Sequence, residues 1–146
     1  MKIYIAGAYA AREQLQVVAD QIAATGKHTI GASWLYGTKE ITPGTLGASL
    51  DETDDTVSKA VAQDLQEVDD ADMLVHFTES AVLALDPDLA QWPLNTGGRH
   101  VETGYKLALN NGHVVIVGAP ENIFQRALAI VVPDLPALMR FLNDQE

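Results

Sequence analysis

The sequence has no cysteine. That removes thiolate catalysis, disulfides, and zinc or iron–sulfur sites built on sulfur. Basic residues are scarce, with 9 Lys+Arg against 20 Asp+Glu and a formal net charge of −11. A nucleic-acid binder needs a basic face, so none is expected. Small anionic ligands remain open, because a few local donors hold them. No apolar run approaches the ~18 residues a bilayer span requires. Only a few apolar residues follow Met1-Lys2 before Gly7, too short for a signal-peptide core. The expectation is a cytoplasmic protein with no membrane partner. The familiar motifs GxGxxG, GxxxxGK[ST], GxSxG and HExxH are all missing.

What is present suits one globular domain over residues 1–146. The chain is 47% hydrophobic and only 20% charged. A chain of about 150 residues buries roughly 70% of its unfolded surface and needs no staple. Short apolar runs at Lys2–Ala6, His28–Trp34, Met73–Phe77, His113–Val117 and Leu128–Val132 read as strands. Helical periodicity separates them over Ala11–Thr25, Asp54–Ala71, Arg99–Asn110, Asn122–Ala127 and Pro136–Asn143. Alternation of this kind predicts an α/β fold: a flavodoxin-like, doubly wound, five-stranded parallel sheet with helices on both faces. Gly37–Thr53 and Thr78–Gly98 read as loops. The second is long for a structureless connection and carries Asp86, Asp88 and Trp92, which suit a lid or a displaced carboxylate.

Ligands of such folds gather at the carboxyl ends of the strands. Gly7-Ala8-Tyr9-Ala10-Ala11-Arg12 follows the first strand. Gly7 and Ala8 admit a ligand near the backbone, Tyr9 offers a hydroxyl and Arg12 a phosphate-capable fork. The plainer reading is a strand-to-helix turn. Thr96-Gly97-Gly98-Arg99 opens a helix, where backbone N–H groups, the Thr96 hydroxyl and Arg99 can cradle an anion. Glu102 follows in the first turn, where the helix terminus favours its ionised form. Such helix starts are common, so an ordinary first-turn acid is the competing reading. Asp64 and Glu67 resemble a capping box. A helix broken near Gln63 would send Asp64 into the site; an unbroken one would keep it mid-helix. The acidic run Asp51–Asp55 lacks a calcium-loop pattern and reads as a solvated cap. The four histidines show no ligand spacing, with His28 and His113 expected at strand edges, so no metal site is expected.

Five segments together resemble the nucleoside 2-deoxyribosyltransferase superfamily, which includes the 2′-deoxynucleoside 5′-phosphate N-hydrolases. They are Ile3-Tyr4-Ile5-Ala6-Gly7, Asp64-Leu65, Ala71-Asp72-Met73-Leu74-Val75, Val101-Glu102-Thr103-Gly104-Tyr105-Lys106-Leu107-Ala108 and Val114-Val115-Ile116-Val117-Gly118. The E-x-G-Y-x-x-A stretch is the most specific of them. The resemblance implies cleavage of an N-glycosidic bond in a nucleoside or its 5′-monophosphate, by base transfer or by hydrolysis. It implies Glu102 as nucleophile, Asp64 as the acid serving the base, and, loosely, Tyr9 as a sugar or carboxylate contact. It implies no cofactor, and assembly as a homodimer or larger homo-oligomer. Transferase members often carry an Asp where Thr96 stands here, and phosphate-accepting hydrolases a small hydroxyl residue, which tilts the expectation toward a phosphorylated ligand. The alternative from another class is a non-catalytic nucleotide-binding or sensing module of the same fold.

Overall fold

The computed structural model describes residues 1–36, 54–94 and 97–145. The Gly37–Thr53 loop, with the first part of the acidic run, and Thr96 lie outside the described residues. Five strands, β1 (Lys2–Ala6), β2 (Thr29–Ile30), β3 (Met73–Phe77), β4 (His113–Val117) and β5 (Ile130–Val132), form one sheet in the order β2-β1-β3-β4-β5. All four pairings are parallel. This is the expected doubly wound α/β arrangement. β1, β3 and β4 are apolar through both faces because helices cover both, so little of them alternates with polar residues.

Six α-helices accompany the strands among the described residues: α1 (Arg12–Ala24), α2 (Asp54–Asp70), α3 (Glu79–Leu85), α4 (Gly98–Leu109), α5 (Ile123–Leu128) and α6 (Leu135–Asn143). The step from β1 to β2 runs one way along the sheet, and the later steps run the other way. Right-handed crossovers therefore put α1 on one face and α2, α4 and α5 on the opposite face. α6 joins the α1 side, where the Nε2 edge of His28 meets the Leu142 carbonyl at 3.1 Å. Asp134 caps α6 by accepting from the Ala137 N–H, and Asn122 caps α5 by accepting from Gln125.

Two expectations change. β2 is only two residues long, and Ser33–Leu35 closes into a 3-10 turn instead of extending the strand. That turn brings the Trp34 indole N–H onto the Ile5 carbonyl, at 2.8 Å, a bond an extended strand would not place there. The segment read as irregular after β3 holds α3 and a second 3-10 turn, Pro87–Gln91. Its start follows from Asp86, which accepts from the Asp88 N–H, and from Pro87 in the first turn. The Asp54–Ala71 helix is found as read: α2 runs through Gln63 without a break.

Candidate active site

Tyr4 sits at the middle of β1 with no exposed surface. A phenol buried in an apolar strand needs a partner for its hydroxyl. It donates to Oε2 of Glu102, which lies in the second turn of α4 and not in the first as the sequence suggested, because the helix already begins at Gly98. The register places Tyr4 beside Leu74 and Ala6 beside His76, so Tyr4 and His76 point to the same face of the sheet. α4 packs on that face through Arg99, Thr103 and Lys106, all buried. It stops at Asn110, which takes the left-handed conformation with φ 50°.

Two further carboxylates approach the Tyr4–Glu102 pair from α2. Asp64 and Glu67 both act on the Glu102 carboxyl as like charges. Burial raises Glu102 to about 8; the Tyr4 hydrogen bond opposes the rise, while Asp64 and Glu67 add to it. Burial, reinforced by Glu67, raises Asp64 to about 6. The Tyr4 phenol is pushed up by burial first and by these acids second. Glu67 is itself fixed: the Ser33 N–H donates to it at 2.7 Å, and so does the Ser33 hydroxyl. The Gln63 amide in turn donates to Ser33 Oγ at 2.9 Å.

The unbroken α2 corrects the capping-box reading. A mid-helix Asp64 is not remote, because the Tyr4 side chain starts at mid-strand and the acids converge over the body of the sheet. Glu67, read as a capping partner, is the third acid beside the pair.

Lys106 locks α2 to α4. Its ammonium is fully buried and donates to the Ala71 carbonyl, to Asn111 Oδ1 at 2.7 Å and to the Asp69 carbonyl at 3.4 Å. These carbonyls belong to the last turn of α2 and the residue after it, where a cation complements the helix dipole.

The residues after β1 form a separate group. Gly7 packs against Leu15, where a Cβ would come within 2.5 Å of that side chain. Ala8 precedes a 3-10 turn, Tyr9–Ala11. The Tyr9 ring lies 6.0 Å from Trp34 and 5.8 Å from the Arg12 guanidinium, whose Nε donates to the Leu35 carbonyl at 3.0 Å. Tyr9, Arg12, Gln14, Asp86, Asp88 and Trp92 line a cavity of about 420 Å³. The tyrosine in contact with Glu102 is therefore Tyr4, and Tyr9 belongs to this neighbouring cavity. The signal for Tyr4 was available: a lone hydroxyl inside an apolar strand.

At the start of α4, Gly97 and Gly98 are exposed, and a side chain at either would meet no neighbour within 4 Å. Arg99 is turned inward and is only 3% exposed. It donates to the Leu94 carbonyl and to Glu121 Oε2 at 2.8 Å. Its position on the buried stripe of α4, with Thr103 and Lys106, dictates that direction.

No protein-family model matches the sequence, and no curated protein matches it. Among solved structures, the CMP N-glycosidase BcmB of Clostridium botulinum matches with a TM-score of 0.56. The match covers 98% of each chain at 12% sequence identity. At that identity the likeness shows a shared α/β fold.

Proposed function

We propose that the chain cleaves the N-glycosidic bond of a nucleoside or nucleoside 5′-monophosphate, with Glu102 as nucleophile. The observation that carries the reading is the Tyr4 hydroxyl donating to Glu102 beside the raised carboxyl of Asp64. The fold likeness to a CMP N-glycosidase supports it, as does the E-x-G-Y-x-x-A resemblance on α4.

Glu102 attacks the anomeric carbon as the bond to the base breaks, giving a glycosyl ester on the carboxylate. The electron pair of the broken bond leaves with the base, and Asp64 supplies the proton that neutralises it. Water, deprotonated by the Asp64 carboxylate, then attacks the same carbon and frees Glu102; a second nucleobase in its place would make the reaction a transfer. Tyr4 holds one oxygen of Glu102, so the other is aimed at the sugar. The same donor favours the ionised form that attack requires. The exposed turn at Gly97-Gly98 is the place where a substrate phosphate would meet the helix terminus. Arg99, committed to Glu121, supports that turn from beneath.

The test is incubation with nucleosides and their 5′-monophosphates, with chromatography for free base. Release of base, lost in Glu102→Ala with the fold retained, is expected. A thermal shift with nucleoside monophosphates but no base after hours would favour the sensing module instead. Adding a second nucleobase separates transfer from hydrolysis by whether a new nucleoside forms.

A further inference from the structure

The Glu102 mechanism leaves a second polar cluster unused. His76 ends up at the carboxyl half of β3, His100 in the first turn of α4, and Glu121 in the turn after β4. One ligand-capable atom from each lies within 4.8 Å of the other two. They are far apart in the chain, so no ligand spacing in the sequence announces them.

We infer that His76, His100 and Glu121 bind a divalent transition-metal ion, of which Zn²⁺ is the type. His76 is completely buried, and its Nε2 has no hydrogen-bond partner among the described residues. That nitrogen nevertheless lies 3.3 Å from Glu121 Oε1. Two ligands bound tetrahedrally at the usual 2.0–2.1 Å sit about 3.3 Å apart. The pair thus has the separation of two ligands sharing one ion. His100 Nε2 stands 4.0 Å from the same oxygen, and its side chain is 34% exposed. Drawing it in by roughly 1–1.5 Å closes a three-ligand shell. The exposed side leaves a fourth position for water or an anionic ligand.

The outer contacts suit this role. The other nitrogen of His76, Nδ1, is 2.6 Å from Thr103 Oγ1, which fixes the ring. Arg99 holds Glu121 through Oε2 at 2.8 Å, with its Nε 3.4 Å from Oε1. The Glu79 N–H reaches Oε2 at 3.4 Å. The Arg99 charge opposes a nearby cation, so the expected affinity is micromolar rather than nanomolar. Glu121 follows Gly118, whose φ of 102° and close approach to Thr78 and Ser80 set the turn that carries it.

The test is metal uptake by tag-free protein, read by calorimetry with Zn²⁺ and by the visible spectrum of Co²⁺. One ion per chain and an intense, low-symmetry Co²⁺ spectrum are expected. His100→Ala, at a partly exposed position, should bind about 10–100-fold more weakly with an unchanged melting temperature, and Thr103→Val should weaken binding by a similar factor. Thr103→Ser should restore binding, and His113→Ala, at an exposed strand start, should not alter it. No uptake of either ion, or equal uptake by His100→Ala and the parent chain, overturns the site. Binding of inorganic phosphate in place of both ions overturns it as well. None of these readouts depends on glycosidic activity.

Discussion

The Tyr4 hydroxyl and the Glu102 carboxylate meet between β1 and α4, and Tyr4 is the donor. A hydrogen bond to an ionised group contributes about 1.5–3 kcal/mol. Tyr4→Phe should therefore lower kcat/KM by roughly 10–100-fold, since each ~1.4 kcal/mol is a factor of ten. Losing the donor also raises Glu102 further, which moves the alkaline limb of the rate profile to higher pH. Steady-state kinetics across pH checks both effects. An unchanged profile would detach Tyr4 from the nucleophile.

The proposed chemistry needs Glu102 ionised and Asp64 protonated. At rest the order is opposite, because Glu102 is raised to about 8 and Asp64 to about 6. A gap of two units leaves ~1% of the protein in the reactive form between those values. The expected profile is a bell with limbs near 6 and 8 and a modest rate at its top. In Asp64→Asn the alkaline fall should vanish, leaving one limb that rises as Glu102 ionises.

Glu102 also links stability to pH. Well below the ordinary carboxylate range, folded and unfolded chains both carry its proton. As pH climbs toward 8 the unfolded chain sheds that proton first, so the folded state loses stability. Glu102→Gln removes the penalty. Its advantage over the parent chain should grow between pH 5 and pH 8.5, by about 2–4 °C in melting temperature for each kcal/mol relieved. Calorimetry at the two pH values measures it, and base release should be absent throughout.

Gly118 allows no side chain. A Cβ there would stand 2.3 Å from Thr78 Oγ1 and 2.8 Å from Ser80 Oγ, on a backbone at φ 102°. Gly118→Ala should cost about 2–4 kcal/mol from strain and crowding together. Denaturant unfolding reads the loss as a lower midpoint with an unchanged slope.

Replacing Lys106 by Met keeps most of the buried stem and removes the ammonium that bonds to the end of α2. Buried acceptors left without a donor cost about 1–3 kcal/mol. Because α2 carries Asp64 and α4 carries Glu102, kcat should fall more than KM changes.

Much of the architecture was legible from the chain. The apolar runs of β1, β3 and β4 and the periodic faces of α1 and α4 announce themselves, because each buries a face through short-range spacing. β2 was overread: apolar residues from His28 to Trp34 looked extended, but Trp34 turns back to bond with Ile5. The capping-box reading of Asp64 and Glu67 failed for a related reason. Local spacing cannot show that Ser33 takes up the Glu67 carboxylate across the sheet edge. Glu102 stood out through its motif, whereas Tyr4 and the His76–Glu121 contact depend on strand register and crossover order, which no local pattern encodes.

The Tyr4–Glu102 bond closes a loop of 98 residues. Contacts so distant in the chain form only after the intervening crossovers have wound, and their loop-closure entropy slows folding. No short fragment of this protein contains both partners, so neither an early translation product nor a half-folded chain can present the assembled pair. In refolding from denaturant, secondary structure should return before the ability to react with substrate does. The arrangement ties the chemistry proposed for this pair to completion of the fold.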